Sequence, residues 1–268
     1  MFEKATIDAL LALTEQAGKA ILPFWKTELT INSKQDESPV TAADIAAHQI
    51  IAKGLQQLTP DIPVLSEEDT DISLAEREQW QRWWLVDPLD GTKEFIAQSD
   101  EFTVNIALIE RGEVKLGIVG VPAQGVLYYG GYGFGAWMIR GDEIEALRVC
   151  ATQTPLRVLA SRRHSGPQQE QLLAQLRNVT DVELVNAGSS LKFCWLAQGK
   201  ADLYPRLAPT SQWDTAAAQA VLEGAGGEVL DTTGQRLTYP ARDSFLNPFF
   251  IALGQDAQLK GQVLAAID

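Results

Sequence analysis

The sequence predicts a layered α/β sandwich, and three observations predict it. Two amphipathic helical patterns stand at the front. Apolar segments separated by short glycine-containing turns fill the middle. From about residue 155 onward, strand and helix patterns alternate. Successive strands joined by tight turns make an antiparallel sheet, whereas alternation of strand with helix makes an α/β unit. An N-terminal α+β half, 1–154, and a C-terminal α/β half, 155–268, are therefore expected.

The elements follow in order. Ile7, Leu10, Leu11, Leu13, Ala17, Ala20, Ile21 and Phe24 recur at helical spacing, with Pro23 near the end of that helix. Residues 31–38 are polar and read as a loop. A second helix starts at Thr41 and carries Ile45, His48, Ile51, Ala52 and Leu55 on one side. Pro63-Val64-Leu65 is a short strand that ends at the acidic pair Glu67-Glu68. Residues 69–81 are charged and read as a loop with a short helix. Trp83-Trp84-Leu85-Val86 is continuous and apolar, as in a strand covered on both faces. Strands over 102–110, 114–121, 126–129 and 136–139 complete the meander. The second half reads as strands at 157–160, 182–185, 201–204, 228–230 and 249–252. Helices lie between and after them at 168–177, 189–198, 215–225 and 256–267.

With 268 residues, 46% of them hydrophobic, the chain can bury a sizeable core. Its net charge of −13 argues against nucleic-acid polymers and anionic membranes, which need basic surface. A small polyanionic substrate remains compatible, because cations and a few placed Lys or Arg reverse the sign locally. Two cysteines, Cys150 and Cys194, match no metal spacing and no disulfide framework; reduced thiols in a cytoplasmic protein are expected. No window is long and apolar enough to span a bilayer. Loose association with the cytoplasmic face of the inner membrane is left open, although no basic amphipathic helix supports it. The oligomeric state, monomer or homodimer, also stays open.

Four acidic segments lie far apart in the chain, each beside an apolar run: Ser38-Pro39-Val40-Thr41 with Asp44, Ser66-Glu67-Glu68, Asp87-Pro88-Leu89-Asp90-Gly91-Thr92, and Trp213-Asp214-Thr215. Each alone has an ordinary explanation. Asp-Pro and Asp-Gly are common turn dipeptides, Glu67-Glu68 could be a solvated loop, Asp214 could cap a helix, and Asp44 could face a helix dipole. Brought together, such groups repel one another unless cations sit between them. Oxygen ligands with no Cys or His nearby suit Mg²⁺ over Zn²⁺. A tight turn at Pro88 would aim Asp87 and Asp90 into one space and free the Leu89 carbonyl as a further ligand. Only one of Glu67 and Glu68 can face the site, since neighbours in extended chain point apart. The chemistry suggested is metal-assisted attack of water on a phosphate ester.

In order and context these segments resemble the inositol monophosphatase superfamily of Mg²⁺-dependent, lithium-sensitive phosphatases, over nearly the whole chain. Segments 38–44, 84–95, 101–106, 188–194, 203–206 and 244–248 are most similar to its bacterial 3′(2′),5′-bisphosphate nucleotidases, which convert adenosine 3′,5′-bisphosphate to AMP in sulfur metabolism. The resemblance implies a first Mg²⁺ on Glu67, Asp87 and the Leu89 carbonyl. It implies a second on Asp87, Asp90 and Asp214, and a weaker third joining Glu67 and the substrate. Thr92 would orient the attacking water, with Asp44 as proton acceptor. Glu67 belongs to the same catalytic group. Substrate contacts are implied at Thr92, Ser161, His164, Gly188, Ser189, Lys192, Arg206 and Asp214, with the start of the 189–198 helix as an anion site. An inositol or sugar phosphatase of the same superfamily fits the acidic motifs equally well. A non-catalytic regulatory protein is disfavoured by the intact acidic set and the negative charge.

Overall fold

The computed structural model describes residues 3–26, 39–160 and 166–267. The expected loop at 31–38 lies outside them. Helix α1 spans Lys4–Ile21 and continues as a 3-10 turn over Leu22–Phe24; α2 spans Pro39–Leu58. The second helix thus begins two residues before Thr41, because proline is tolerated in a first helical turn, where no backbone N–H is required. Strands β1 (Val64–Ser66), β2 (Arg82–Asp90), β3 (Thr103–Glu110), β4 (Glu113–Val121), β5 (Val126–Gly131), β6 (Gly135–Arg140) and β7 (Glu143–Ala146) form one sheet in that order. β1 and β2 are parallel, and every later pair is antiparallel. Short helices α3 (Leu74–Arg77) and α4 (Thr92–Ile96) flank β2.

A second sheet has the order β11-β12-β10-β8-β9, built from β8 (Leu156–Ala160), β9 (Val182–Asn186), β10 (Leu203–Arg206), β11 (Glu228–Asp231) and β12 (Phe250–Leu253). β8 runs parallel to β9 and β10, while β12 is antiparallel to both its neighbours. Four helices accompany these strands: α5 (Pro167–Arg177), α6 (Leu191–Ala197), α7 (Ala216–Gly224) and α8 (Ala257–Ile267).

Alternation along the strands sorts the core into layers. Trp84, Val86, Val104, Ile106, Leu116 and Ile118 pack under Leu10, Leu13, Ala47 and Ile51 of α1 and α2. Trp83, Leu85, Ala107, Ile109 and Val119 on the opposite face meet Leu191, Ala217 and Val221 of α6 and α7, and the same layer takes in Leu159, Tyr204 and Phe250 of the second sheet. Val158, Leu203 and Ile251 turn outward against Leu172, Leu176, Leu259 and Val263 of α5 and α8. The order is helices, sheet, helices, sheet, helices.

The middle layer is held close by small side chains. A Cβ placed on Gly117 of β4 would lie 2.0 Å from the carbonyl oxygen of Ala217. This contact seats α7, and with it the residues just before α7, directly on the first sheet. Gly117→Ala should therefore destabilise the protein by about 3 kcal/mol, the upper end for overpacking, because backbone cannot move aside as a side chain can. Urea unfolding checks this; a loss within the error of the method would mean that α7 is not held by this contact.

Candidate metal and phosphate site

β2 does not stop at Asp87. It runs through Pro88 and Leu89 to Asp90, so the immediate turn expected at Pro88 is replaced by an irregularity within the strand. Asp87 pairs with Asn105 and Asp90 with Thr103, which sets three steps on β2 against two on β3. One extra residue in the ladder is a β-bulge, and proline suits it because it has no N–H to leave unpaired. In regular β-structure residues three apart face opposite sides. Here the bulge turns Asp87 and Asp90 to the same side, toward α6 and α7. Leu89 joins the opposite layer with its side chain, and its N–H donates to Asp87 Oδ1 at 3.0 Å. Gly91, with φ of +94°, then lets the chain leave the strand and start α4 at Thr92.

Two further carboxylates reach this space. The Glu67 N–H bonds the Val86 carbonyl, which extends the parallel pairing of β1 and β2 by one step. Asp214 lies in the turn before α7. Its carboxylate does not cap that helix, whose N-cap is Thr215; it accepts from the Ser211 N–H at 2.9 Å and closes its own turn. Asn247 braces the turn through Ser211 O at 2.6 Å and Thr215 Oγ1 at 3.0 Å. Carboxylate oxygens of Glu67, Asp87 and Asp214 all lie within 4.8 Å of one another. Of the acidic pair, Glu67 is thus the one that joins the cluster. His48, on α2, bonds Ser66 on the other face of β1.

Gathering these groups raises their pKa values. Burial pushes Asp44 up to about 8, with the charges of Glu68 and Glu67 adding to it. Burial, then Asp90 and Glu68, bring Glu67 up to about 7. Asp214 reaches about 7 through burial and Asp90, against the Ser211 N–H. Asp87 is raised well above the usual range by burial and by Asp90, Glu67 and Asp214. Asp90 is raised by burial and held down by Lys192 and the Ser190 N–H. A buried oxygen, Asp44 Oδ1, has no hydrogen-bond partner among the described residues, so the expected pairing with Thr92 is not made through that atom. Clustered carboxylates and an unpartnered buried oxygen, with no sulfur donor among them, fit hard divalent cations.

Beside the cluster opens a cleft of about 340 Å³, with Asp90 and Asp214 on its wall and Lys93, Lys192 and Arg206 supplying positive charge. Lys192 Nζ donates to Ser189 O at 3.0 Å, and burial lowers its pKa to about 8 despite Asp90 nearby. The start of α6 is not a ring of free N–H groups. Gly188 N–H donates to Glu101 at 2.8 Å, Ser190 N–H to Asp90, and Leu191 N–H to Ser189 Oγ at 3.3 Å. Arg206 donates to Pro209 O at 3.2 Å on the rim. Thr92 is exposed at the start of α4. Ser161 and His164 lie outside the described residues.

A family model for the inositol monophosphatase family matches residues 3–266. The chain belongs to the inositol monophosphatase family. Family enzymes are metal-dependent, as the acidic cluster suggests. A curated member from Salmonella typhimurium, named 3′(2′),5′-bisphosphate nucleotidase CysQ, is 48% identical over 91% of this chain and 98% of its own; its Escherichia coli counterpart has the same identity. The crystal structure of CysQ from Bacteroides thetaiotaomicron superposes with a TM-score of 0.86 at 37% identity, covering 95% of this chain and 98% of that one. An inositol monophosphatase from Zymomonas mobilis superposes at 0.74 with 27% identity, over 99% of both chains.

Several polar residues at the family site escaped sequence reasoning. Glu101, Thr103, Asn105 and Asn247 are all buried; Thr103 bonds Asp90 and Asn247 braces the Asp214 turn, while Glu101 and Asn105 bond Gly188 and Ser190 at the start of α6. The alternation of Thr103 and Asn105 with Val104 and Ile106 was the available signal, because polar side chains on a strand with both faces covered need partners.

Each raised carboxylate pKa means that ionisation costs the folded state more than the unfolded one. The contribution of these groups is complete below the unfolded carboxylate range and is lost as pH rises through about 7 to about 8. A cation that binds the ionised cluster reverses that loss. The gain in melting temperature given by Mg²⁺ should therefore grow from about pH 6 to about pH 9. Equal gains at both ends, in a thermal-shift series, would show that the cluster is already ionised without metal.

Proposed function

We propose that this chain hydrolyses the 3′-phosphate of adenosine 3′,5′-bisphosphate to give AMP and phosphate, as a 3′(2′),5′-bisphosphate nucleotidase. The observation that carries the reading is the acidic cluster opening directly onto a cleft that holds the buried Lys192, with half-buried Arg206 on its rim. One phosphate can lie against the cluster while a second charged group meets the cations. The names of the 48% identical relatives support the same substrate class over an inositol phosphate. The sulfated form, 3′-phosphoadenylyl sulfate, has the same 3′-phosphate and is a second candidate substrate. The two unpaired thiols, Cys150 and Cys194, support a reducing, cytoplasmic setting.

Glu67, Asp87 and the Leu89 carbonyl would hold one Mg²⁺, and Asp87, Asp90 and Asp214 a second, with a third at Glu67 when substrate is present. Bound there, the ions lower the pKa of water and neutralise charge on the transferring phosphoryl group. The protein's own part is positional. Thr92 directs the attacking water, and Asp44 behind it takes that water's proton as the new P–O bond forms; the bond to the ribose 3′ oxygen breaks and that oxygen takes a proton from solvent water. Lys192 and Arg206 hold the remaining phosphate, and Gly188 and Ser189 shape the wall beside it. Ser161 and His164 are proposed to meet the nucleotide.

Phosphate release from adenosine 3′,5′-bisphosphate and inositol 1-phosphate, with Mg²⁺, tests the reading. Preference for the nucleotide, abolished by EDTA and reduced by lithium, is expected. Preference for inositol 1-phosphate would overturn the substrate assignment while keeping the metal site. Asp90→Asn should lower kcat by at least about a hundredfold, since several kcal/mol of charge stabilisation go with it; turnover within a few-fold of the parent would refute the role given to Asp90. Lys192→Ala should raise KM for the bisphosphate about tenfold and affect a monophosphate much less. Equal effects on both would remove Lys192 from the second-phosphate role.

A further inference from the structure

Behind Asp90 runs a buried chain of hydroxyl and amide groups that no step of the reaction uses. Thr103 Oγ1 lies 3.3 Å from Asp90 Oδ2, the oxygen that also accepts the Ser190 N–H. Thr103 Oγ1 is 2.8 Å from Ser190 Oγ, and Ser190 Oγ is 2.8 Å from the Asn105 amide. Thr103, Asn105 and Ser190 are exposed by 0%, 1% and 2%, so water does not replace any of these contacts. Asn105 Nδ2 has no partner among the described residues. Thr103 and Asn105 stand opposite Asp90 and Asp87 in the β2–β3 ladder, on either side of the bulge. Ser190 comes from the segment that begins α6, which carries Lys192.

We infer that Thr103, backed by Ser190 and Asn105, is a positioning residue for cation binding: it fixes Asp90 Oδ2 as an acceptor inside the protein and leaves Oδ1 to the cleft. Proton counting sets the order of the chain. A carboxylate that holds a cation can only accept, so Thr103 donates to Asp90. Thr103 has one proton, so its oxygen accepts from Ser190, and Ser190 accepts in turn from an amide N–H. Asn105 therefore presents Nδ2, which is the group left over when Oδ1 faces Ser190; a half-turn of the amide pairs it. The chain also ties the carboxylate on the first sheet to the segment that carries Lys192.

The inference rests on the metal assignment proposed above, and its test is a measurement of binding. Mn²⁺ affinity is measured by titration calorimetry on the full chain without substrate, beside Mg²⁺-dependent turnover. Thr103→Val keeps the shape and removes the hydroxyl; it should weaken Mn²⁺ binding by about 10- to 100-fold, the usual effect of losing an outer-shell partner. KM at saturating Mg²⁺ should stay near the parent value. Thr103→Ser restores the donor and should restore affinity. Ser190→Ala keeps the N–H and loses only the hydroxyl, so it should fall between the two. If Thr103→Val does not fold, the order of parent, Thr103→Ser and Ser190→Ala decides alone. Parent-like Mn²⁺ affinity in Thr103→Val, or in Ser190→Ala where Val does not fold, overturns the inference while leaving the nucleotidase reading intact. A parent that binds Mn²⁺ but releases no phosphate from the nucleotide sinks that reading, and the affinities still score the inference.

Discussion

Mutual repulsion among buried carboxylates is the constraint around which this protein is arranged. Glu67, Asp87 and Asp214 present oxygens within 4.8 Å of each other, and Asp90 and Asp44 add to the same field. Left to themselves, such groups would move apart or keep their protons. They stay because each is fixed by something stiffer than its side chain. Asp87 and Asp90 are held by a sheet ladder, Glu67 by the last step of a parallel pair, and Asp214 by a turn closed on Ser211 and braced by Asn247. A divalent cation bound among these carboxylates would relieve that repulsion.

The layers explain why the constraint can be met. The first sheet is covered on both faces, and the face opposite α1 and α2 meets a helix whose first half is nearly all alanine, Ala216-Ala217-Ala218-Gln219-Ala220. With Gly117 beneath it, that helix approaches the sheet at backbone distance. The turn carrying Asp214 is thereby set down beside the bulge in β2. A bulkier interface would have held the Asp214 carboxylate away from Glu67 and Asp87.

Much of this was legible in the sequence, and what was not has identifiable causes. Apolar periodicity placed α1, α2 and the strands of both sheets, because burial on one or two faces leaves a strong pattern. β7 was missed: Glu143–Ala146 is an edge strand with every residue exposed, so it carries no such pattern. The short helix α4 was hidden behind Gly91, read as the end of a turn. Asp-Pro suggested that β2 ends at residue 87, when in fact the ladder absorbs the proline as a bulge. That difference matters for the site, since a bulge, not a turn, puts Asp87 and Asp90 on one side. At residues 188–191 the family resemblance implied an anion site with free N–H donors; the structure gives these N–H groups to Glu101, Asp90 and Ser189. Local composition names the donors in a loop and cannot say which acceptors a distant strand will bring.

The seating of α7 also bears on how the chain is made. This helix packs on β3, β4, β5 and β6, all of which are synthesised long before it. Until residues 191–224 have left the ribosome, the apolar face bearing Trp83, Leu85, Ala107, Ile109 and Val119 lacks α6 and α7, the helices that cover it. A nascent chain that already has its first seven strands is therefore sticky on one whole face, the condition in which aggregation competes with folding.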